Sequence, residues 1–380
     1  MSKVTSLSDE FPLDDNLIYL NHAAVSPWPL RTQQALNRFA RENVYQGAYH
    51  YPEWMAQETC LRDQLAQLIH AESADDIALL KNTSEALSVV AHGLAWNRGD
   101  NIIISDEEFP SNRIVWESLR QQGVELRQIS LASASSAEQA LIDAMDNHSR
   151  LLSISSVQYA SGLRLNLPVL GEACSRRGVL FCVDAIQSVG ALQTDVQAMQ
   201  ADFVMADGHK WMLGPEGLAF FYSRSAAREQ LYLHQYGWHM VEDYLNFDNR
   251  NWQIAHSARR FECGSPNMLG IQALSASLSL LLETGMDVVE HQLLDNSRHL
   301  VAEIKATKNL QILSNIDEGC FAGIILFQHR HVAAGQLYTR LMEKGVVCAA
   351  RGKGLRFSPH FYTSKDKISE AVRIADGLES

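Results

Sequence analysis

The sequence has no C-x-x-C pair, no glycine-rich nucleotide fingerprint, no apolar run long enough to cross a bilayer and no surplus of positive charge. Each absence removes a class of protein. The six cysteines, Cys60, Cys174, Cys182, Cys263, Cys320 and Cys348, are scattered. That speaks against a disulfide frame or a zinc site and for reduced thiols in the cytoplasm; no metal is expected. A bilayer span needs roughly 18 consecutive apolar residues. The opening stretch MSKVTSLSDEFPLDD has no apolar signal core either, so a soluble intracellular protein without a membrane partner is expected. With 32 Lys and Arg against 44 Asp and Glu the formal charge is −12, the wrong sign for holding nucleic acid or anionic lipid through the overall field. The basic spots QHRHV and SARRF are too short to act as patches. Neither G-x-x-x-x-G-K-[ST] nor G-x-G-x-x-G occurs, which disfavours a nucleotide-binding α/β protein. No internal repeat or low-complexity tract is visible.

What is present is a chain of 380 residues, 46% apolar and 20% charged, ordinary for a globular protein and long enough for two domains. From about residue 75 to 225, short apolar runs (DIALLK, NIIISD, RLLSISSV, VLFCVDA, DFVMAD, GLAFFYS) alternate with amphipathic stretches. Strands that are apolar throughout and spaced by helices predict a mostly parallel sheet covered on both faces. DFVMAD and GLAFFYS are joined by a loop too short for a crossover helix, so one antiparallel neighbour is expected there. Beyond residue 225 an aromatic, irregular stretch (LHQYGWHMVEDYLNFDNRNWQ) gives way to long helical segments, short β pieces and a terminal helix from Lys365. The expected fold is α/β, with a large domain over 16–281 and a smaller α+β domain over 282–380 that takes in the N-terminal arm 1–15.

Ligands of open α/β sheets bind outside the carboxyl ends of the strands. Those ends are followed by Asn82-Thr83-Ser84, by Glu107-Glu108-Phe109-Pro110, by Tyr159, by Asp184 with Gln187, and by His209 with Lys210. Singly, each has a plain structural reading: Thr83-Ser84 as a helix cap, Asp184 as a turn acid, Phe109 as packing, Lys210 as a surface cation. Together they suit one cofactor, pyridoxal phosphate. It needs a helix N-terminus with hydroxyls for its phosphate, a carboxylate against its ring nitrogen, a flat side chain over the ring and a lysine to form the imine.

In this order the motifs resemble the class V aminotransferase family of fold type I pyridoxal phosphate enzymes. That group includes cysteine desulfurases, selenocysteine lyases, kynureninases, isopenicillin-N-epimerase-like proteins and serine-type aminotransferases. YLNHAAVSP resembles its opening strand, NTSEAL its phosphate-binding helix start, VDAIQSVG its Asp-x-x-Gln signature and DGHKWMLGPEG its lysine loop. RFECGSPN resembles the segment that reaches a partner subunit, and RGKGLRFSPHFYTS the C-terminal arginine strand.

The resemblance implies a homodimer with Lys210 as the imine lysine, set in place by a tight glycine turn, and Asp184 as partner of the ring nitrogen. It implies Gln187 against the phenolic oxygen, Phe109 over the ring, and Thr83, Ser84 and His209 on the phosphate, completed by Ser265 of the other subunit. Arg356 matches the arginine that grips the substrate α-carboxylate. His22, Tyr45, Tyr159, Arg164, Trp238 and His239 are candidates for deciding the reaction outcome, with Tyr236 beside Trp238 and with Arg351 or Arg164 open to a second carboxylate.

Three departures stand out. Phe109 takes the place of the desulfurase histidine, and Asp207 the place of a phosphate-binding serine. Only Gly352-Lys353-Gly354-Leu355 separates Arg351 from Arg356, where desulfurases carry a loop with a nucleophilic cysteine. Cys348 lies earlier, in an expected buried strand. The expected activity is transamination at Cα of an amino acid. C–S or other β-lyase and epimerase chemistry are the alternatives, and a non-catalytic cofactor sensor or scaffold stands outside the enzyme class.

Overall fold

The computed structural model describes residues 7–131 and 136–378; the first six residues of the N-terminal arm lie outside them. The chain opens with β1 (Ile18–Tyr19) and two helices, α1 (Leu30–Gln46) and α2 (Tyr51–Leu68). The alternating region follows: β2 (Ile77–Leu80), α3 (Thr83–Gly93), β3 (Asn101–Ser105), α4 (Ser111–Glu117), β4 (Glu125–Ile129), α5 (Ala137–Asp143), β5 (Ser149–Ser155), α6 (Leu167–Arg177), β6 (Leu180–Asp184), β7 (Phe203–Asp207) and β8 (Ala219–Ser223). The short α7 (Ser225–Arg228) leads into the aromatic loop, and then come α8 (Met268–Thr284) and α9 (Met286–Ala306). The C-terminal part holds β9 (Leu310–Ile312), β10 (Ile325–His329), α10 (Ala334–Glu343), β11 (Val346–Val347), β12 (Ala349–Arg351), β13 (Gly354–Phe357) and α11 (Lys365–Asp376).

The main sheet has the order β2-β8-β7-β6-β5-β3-β4. Only β8 runs against the rest, antiparallel to both β7 and β2, as the short DFVMAD–GLAFFYS connection predicts. The central strands are buried end to end because alternate residues serve two cores. Phe181, Val183, Val204 and Ala206 enter one, and Leu180, Cys182, Phe203 and Met205 enter the other; a period of two puts successive side chains on opposite faces. Since β2, β3, β5, β6 and β7 point the same way, their carboxyl ends share one rim.

The second sheet, β12-β13-β10-β9, is antiparallel and packs with α9, α10 and α11 around its own core of Leu300, Phe327, Leu337, Leu355, Phe357 and Ile368. The N-terminal segment joins it: β1 pairs with β11, and the Phe11 ring stacks on Tyr362. The long helical stretch breaks at Gly285 (φ 86°), where α8 and α9 meet at 85°. Thereby α8 lies on α1 and α2 while α9 packs on α11. Among the described residues no single helix is long and apolar enough to cross a membrane.

One glycine ties the two strand-end segments of the site together. Gly190, at the end of VDAIQSVG, has φ 89°, and a Cβ there would stand 2.4 Å from the carbonyl oxygen of Trp211. Gly190→Ala therefore meets backbone strain and a backbone clash at once. It should cost about 2 kcal/mol or more, read as a lowered urea midpoint at unchanged slope; a midpoint within error of wild type would refute the close approach.

Candidate active site

Asp184 ends β6 and Lys210 follows the end of β7, the neighbouring parallel strand, with Asp184 in register with Met205. Asp184 is buried, and its Oδ1 accepts the N–H of Ile186 at 3.1 Å. Burial raises its carboxyl above the usual range; the Ile186 N–H and Lys210 oppose that, and the Glu108 charge adds to it. Lys210 is lowered, first by burial and then by Arg356 and Arg351, while Asp184 and Asp207 pull it back. Acid and amine thus sense each other across one cleft, each held near the point where it can exchange a proton at neutral pH.

The loop carrying Lys210 turns at glycines, Gly208 and Gly217 (φ 86°), and also at a residue that is not glycine. Leu213, fully buried, takes φ 62°, its N–H donates to the Lys210 carbonyl at 3.0 Å, and its own carbonyl accepts from Ser277 Oγ at 2.8 Å. A left-handed leucine is held only where surrounding packing over-determines it. Trp211 supplies that packing: its indole N–H donates to Gln187 Oε1 at 2.8 Å, and its carbonyl accepts His360 Nε2 at 3.1 Å.

At the phosphate end, α3 starts behind the Asn82 cap, whose side chain accepts the Glu85 N–H at 2.9 Å. The first N–H groups of a helix have no partner within it. Thr83 is buried and accepts the Asp207 N–H at 3.2 Å; Ser84 is exposed and donates to Ser111 Oγ at 2.8 Å. His209 Nδ1 lies 2.8 Å from Asp207 Oδ1, at ion-pair distance but not aligned as a hydrogen bond. Asp207 therefore turns its carboxylate toward the imidazole. Gln187 is buried with one amide N–H given to the Ala23 carbonyl at 3.0 Å, leaving its second N–H to donate. The Phe109 ring lies 5.7 Å from the Lys210 ammonium and meets Tyr159 edge-on at 5.1 Å.

At the substrate end, Arg356 on β13 reaches across to the main sheet, donating from Nη1 to the Tyr159 carbonyl at 2.6 Å. Its Nε and Nη2 are buried with no partner; these two atoms form one fork of the guanidinium, the geometry that takes a carboxylate in two hydrogen bonds. Burial, then Arg351, push this guanidinium down to about 9. Arg351 donates to Ala350 O and also leaves Nε unpartnered, whereas Arg164 is held by Glu290 at 3.4 Å and so answers an internal acid. Arg351 pairs across a tight hairpin with Gly354, the turn made by Gly352 (φ 53°) and Lys353. Cys348 is buried, its thiol pushed up to about 12 by that burial.

Other expected residues are not brought to this cleft. His22 is fully buried: Nδ1 faces the Ser358 carbonyl at 2.8 Å, which makes it the donor, and Nε2 faces the Tyr362 hydroxyl at 2.7 Å. No ring atom is left for a substrate. Trp238 packs with His239, Tyr244 and Phe247 in the aromatic loop. His239 is buried 3.7 Å from Glu262 and 3.9 Å from Glu58. The three offer ligand-type atoms within 4.8 Å of each other, but Arg62 already binds both carboxylates at 2.5–2.7 Å, so a cation would have to displace a guanidinium. Tyr45 is exposed; Ser265, which the resemblance assigns to the site of a second subunit, is exposed too. Sequence reasoning places Glu108 at a strand end but gives it no role; it is a buried carboxylate beside Phe109 with its charge against Asp184, and its place in EEFPSN, before the ring-covering residue, is the one signal that points to it.

The spare Gln187 N–H, the free start of α3, the buried acid and the enclosed amine fit pyridoxal phosphate, and the Arg356 fork fits an amino-acid carboxylate. The family model for aminotransferase class-V matches residues 18–375. The chain is 28% identical to a probable cysteine desulfurase of Methanothermobacter thermautotrophicus, covering 94% of each. It is 30% identical to a cysteine desulfurase of Yersinia pestis, covering 88% of this chain and 84% of the relative. Among solved structures it is similar to a lysine-to-alanine mutant of C-DES with glycine covalently linked to its PLP cofactor (TM-score 0.89, 21% identity, 98% and 100% covered). It is likewise similar to the cystine C–S lyase C-DES in complex with its product cysteine persulfide (TM-score 0.87, 21% identity, 95% and 98% covered).

Burial holds the His22 imidazole down to about 4, against 6.5 in the open chain. The unfolded state takes up a proton that the folded state refuses, so this contribution to stability is whole above about pH 6.5 and is lost as pH falls toward 4. Its ceiling is about 3 kcal/mol. His22→Gln should flatten the fall in urea-unfolding free energy between those pH values; a slope equal to wild type would show that His22 does not carry it.

Proposed function

The chain belongs to the aminotransferase class-V family, and from that premise we propose that it is a pyridoxal phosphate enzyme that breaks the Cβ–S bond of a sulfur amino acid without a protein cysteine of its own. The observation that carries the reading is the hairpin at Arg351–Gly354. It presents two arginines at the substrate end and has no room for a thiol-bearing loop, while the nearest cysteine in sequence, Cys348, is buried and protonated. The names of the relatives, cysteine desulfurases and a cystine C–S lyase, favour this outcome over transamination.

Bound here, pyridoxal phosphate supplies an electron sink next to the substrate Cα, which makes proton loss and departure of a β-substituent accessible. The chain's own groups do the rest. With the cofactor bound, Lys210 would tether it, and its lowered proton affinity would suit the amine to take the Cα proton and to give a proton to the departing sulfur. Asp184 keeps the ring nitrogen protonated. Gln187 donates to the phenolic oxygen, Phe109 covers the ring, and Thr83, Ser84 and His209 hold the phosphate. Arg356 takes the α-carboxylate on its Nε–Nη2 fork. Ser265 completes the phosphate site from a second copy, a homodimer in line with the exposed aromatic surface of Tyr232, Tyr236, Phe247 and Trp252. The free thiols suit a cytoplasmic setting.

Purified protein loaded with cofactor should release pyruvate, ammonia and sulfide or persulfide sulfur from cysteine or cystine with no keto acid added. Lys210→Ala should lose the borohydride-sensitive visible band and at least about 10²-fold in rate. Arg356→Ala should lose about 10²-fold in kcat/KM. Cys348→Ala should leave the rate unchanged. Turnover that requires a keto acid and passes through the aminated cofactor would establish transamination instead, and dependence on Cys348 would restore desulfurase chemistry on a protein thiol.

A further inference from the structure

Behind Asp184 lies a second buried carboxylate that the proposed reaction does not use. Glu108 follows the end of β3 and is buried. Its Oε1 accepts from Ser105 Oγ at 2.9 Å, Gln158 Nε2 at 2.9 Å and the Ser155 N–H at 3.0 Å. Its Oε2 accepts from Asn112 Nδ2 at 2.7 Å, Ser155 Oγ at 2.5 Å and, at 3.1 Å, the same Ser155 N–H. All five donors are neutral, and among the described residues no cation pairs with it. Gln158 turns its NH2 to this carboxylate and leaves its own oxygen buried without a partner, the orientation an acceptor-only group selects. A buried charge satisfied by dipoles alone keeps its field for its neighbours.

Two of those neighbours belong to the site. Ser155, held by Glu108 through both N–H and Oγ, is in register with Asp184 on β6. The residues next to Glu108 and Gln158 are Phe109, whose ring lies 5.7 Å from the Lys210 ammonium, and Tyr159, which meets that ring edge-on. The titratable groups around the pair are Cys182 on β6, Glu107 on Glu108's own turn, and Lys210 beyond Asp184. Lys210 is the one cation of that set, and it faces Asp184 rather than Glu108.

Resting on the pyridoxal phosphate reading, we propose that Glu108 is a positioning residue whose charge, acting through Asp184, holds the proton on the cofactor's ring nitrogen. A fixed negative charge behind the ionised Asp184 adds to its field and favours every cationic form of the cofactor in front of it. Removing the charge while keeping the shape must therefore shift cofactor protonation to lower pH. A merely structural Glu108 gives no such shift.

The test is the pH titration of the visible band of the bound cofactor in wild type, E108Q and E108D. Ser105 and Ser155 hydroxyls and the Gln158 amide can each turn to accept from a glutamine, so E108Q keeps its network. E108Q should lower the midpoint by about one pH unit; E108D, which keeps the charge on a shorter arm, should stay with wild type even if it melts earlier. An unchanged midpoint in E108Q overturns the proposal, and so does an E108D midpoint displaced as far as that of E108Q, since shape would then be the cause. A wild-type protein with no band that borohydride bleaches removes the cofactor reading and this inference together, an outcome distinct from either of the others.

Discussion

The site depends on charges that the fold strips of water without letting them neutralise. Asp184, Glu108 and Asp207 bring negative charge to the rim; Lys210, Arg351 and Arg356 bring positive charge. Burying one such group alone costs several kcal/mol. The rim tolerates the set because opposite signs face each other over one cleft, without closing into salt bridges. A closed Asp184–Lys210 pair would be more stable and useless: the amine would keep its proton and the acid would have nothing to give a ring nitrogen. The gap between them is the feature that turns an ion pair into a cofactor site.

That gap has to be held from outside, and the C-terminal part of the chain holds it. Trp211 sits directly after Lys210, and its ring lies where a Cβ on Gly323 would stand only 2.5 Å away. His360 donates to its carbonyl, and His360 and His22, both fully buried, pack edge-on 5.3 Å apart. The strand just before His360, β13, presents Arg356. The grip on a substrate carboxylate and the placement of the amine are thus parts of one packed unit, so motion of the smaller sheet against the larger would move both together.

The main sheet is legible in the sequence because β5, β6 and β7 are apolar on both faces, and runs of that length and pattern suit little besides a covered strand. Hidden there is β4, a sheet-edge strand of exposed and half-buried residues that form no apolar run. Helices α1 and α2 stay unplaced as well, since helices packed on other helices carry no chemistry at their ends. Lys210, Asp184, Gln187 and Phe109 are legible through order along the chain, because parallel strands convert chain order into position on one rim. His22 is not: a histidine in an opening strand looks the same whether its nitrogens face a ligand or, as here, a carbonyl and a phenol. Trp238 packs with His239, Tyr244 and Phe247 of its own loop, and a left-handed leucine lies outside any rule of composition.

Hairpin length is where local geometry bears most directly on chemistry. A nucleophilic thiol that is to meet sulfur on a bound substrate must be carried by backbone long enough to swing between solvent and the cleft. Between Arg351 and Arg356 the backbone is spent on strand pairing, Arg351 with Gly354 and Ala349 with Arg356, and on a turn of Gly352 and Lys353. No slack remains. On the lyase reading the departing sulfur then leaves as a small molecule, its proton comes from Lys210, and the two guanidinium groups beside the hairpin keep buried N–H donors without a protein partner.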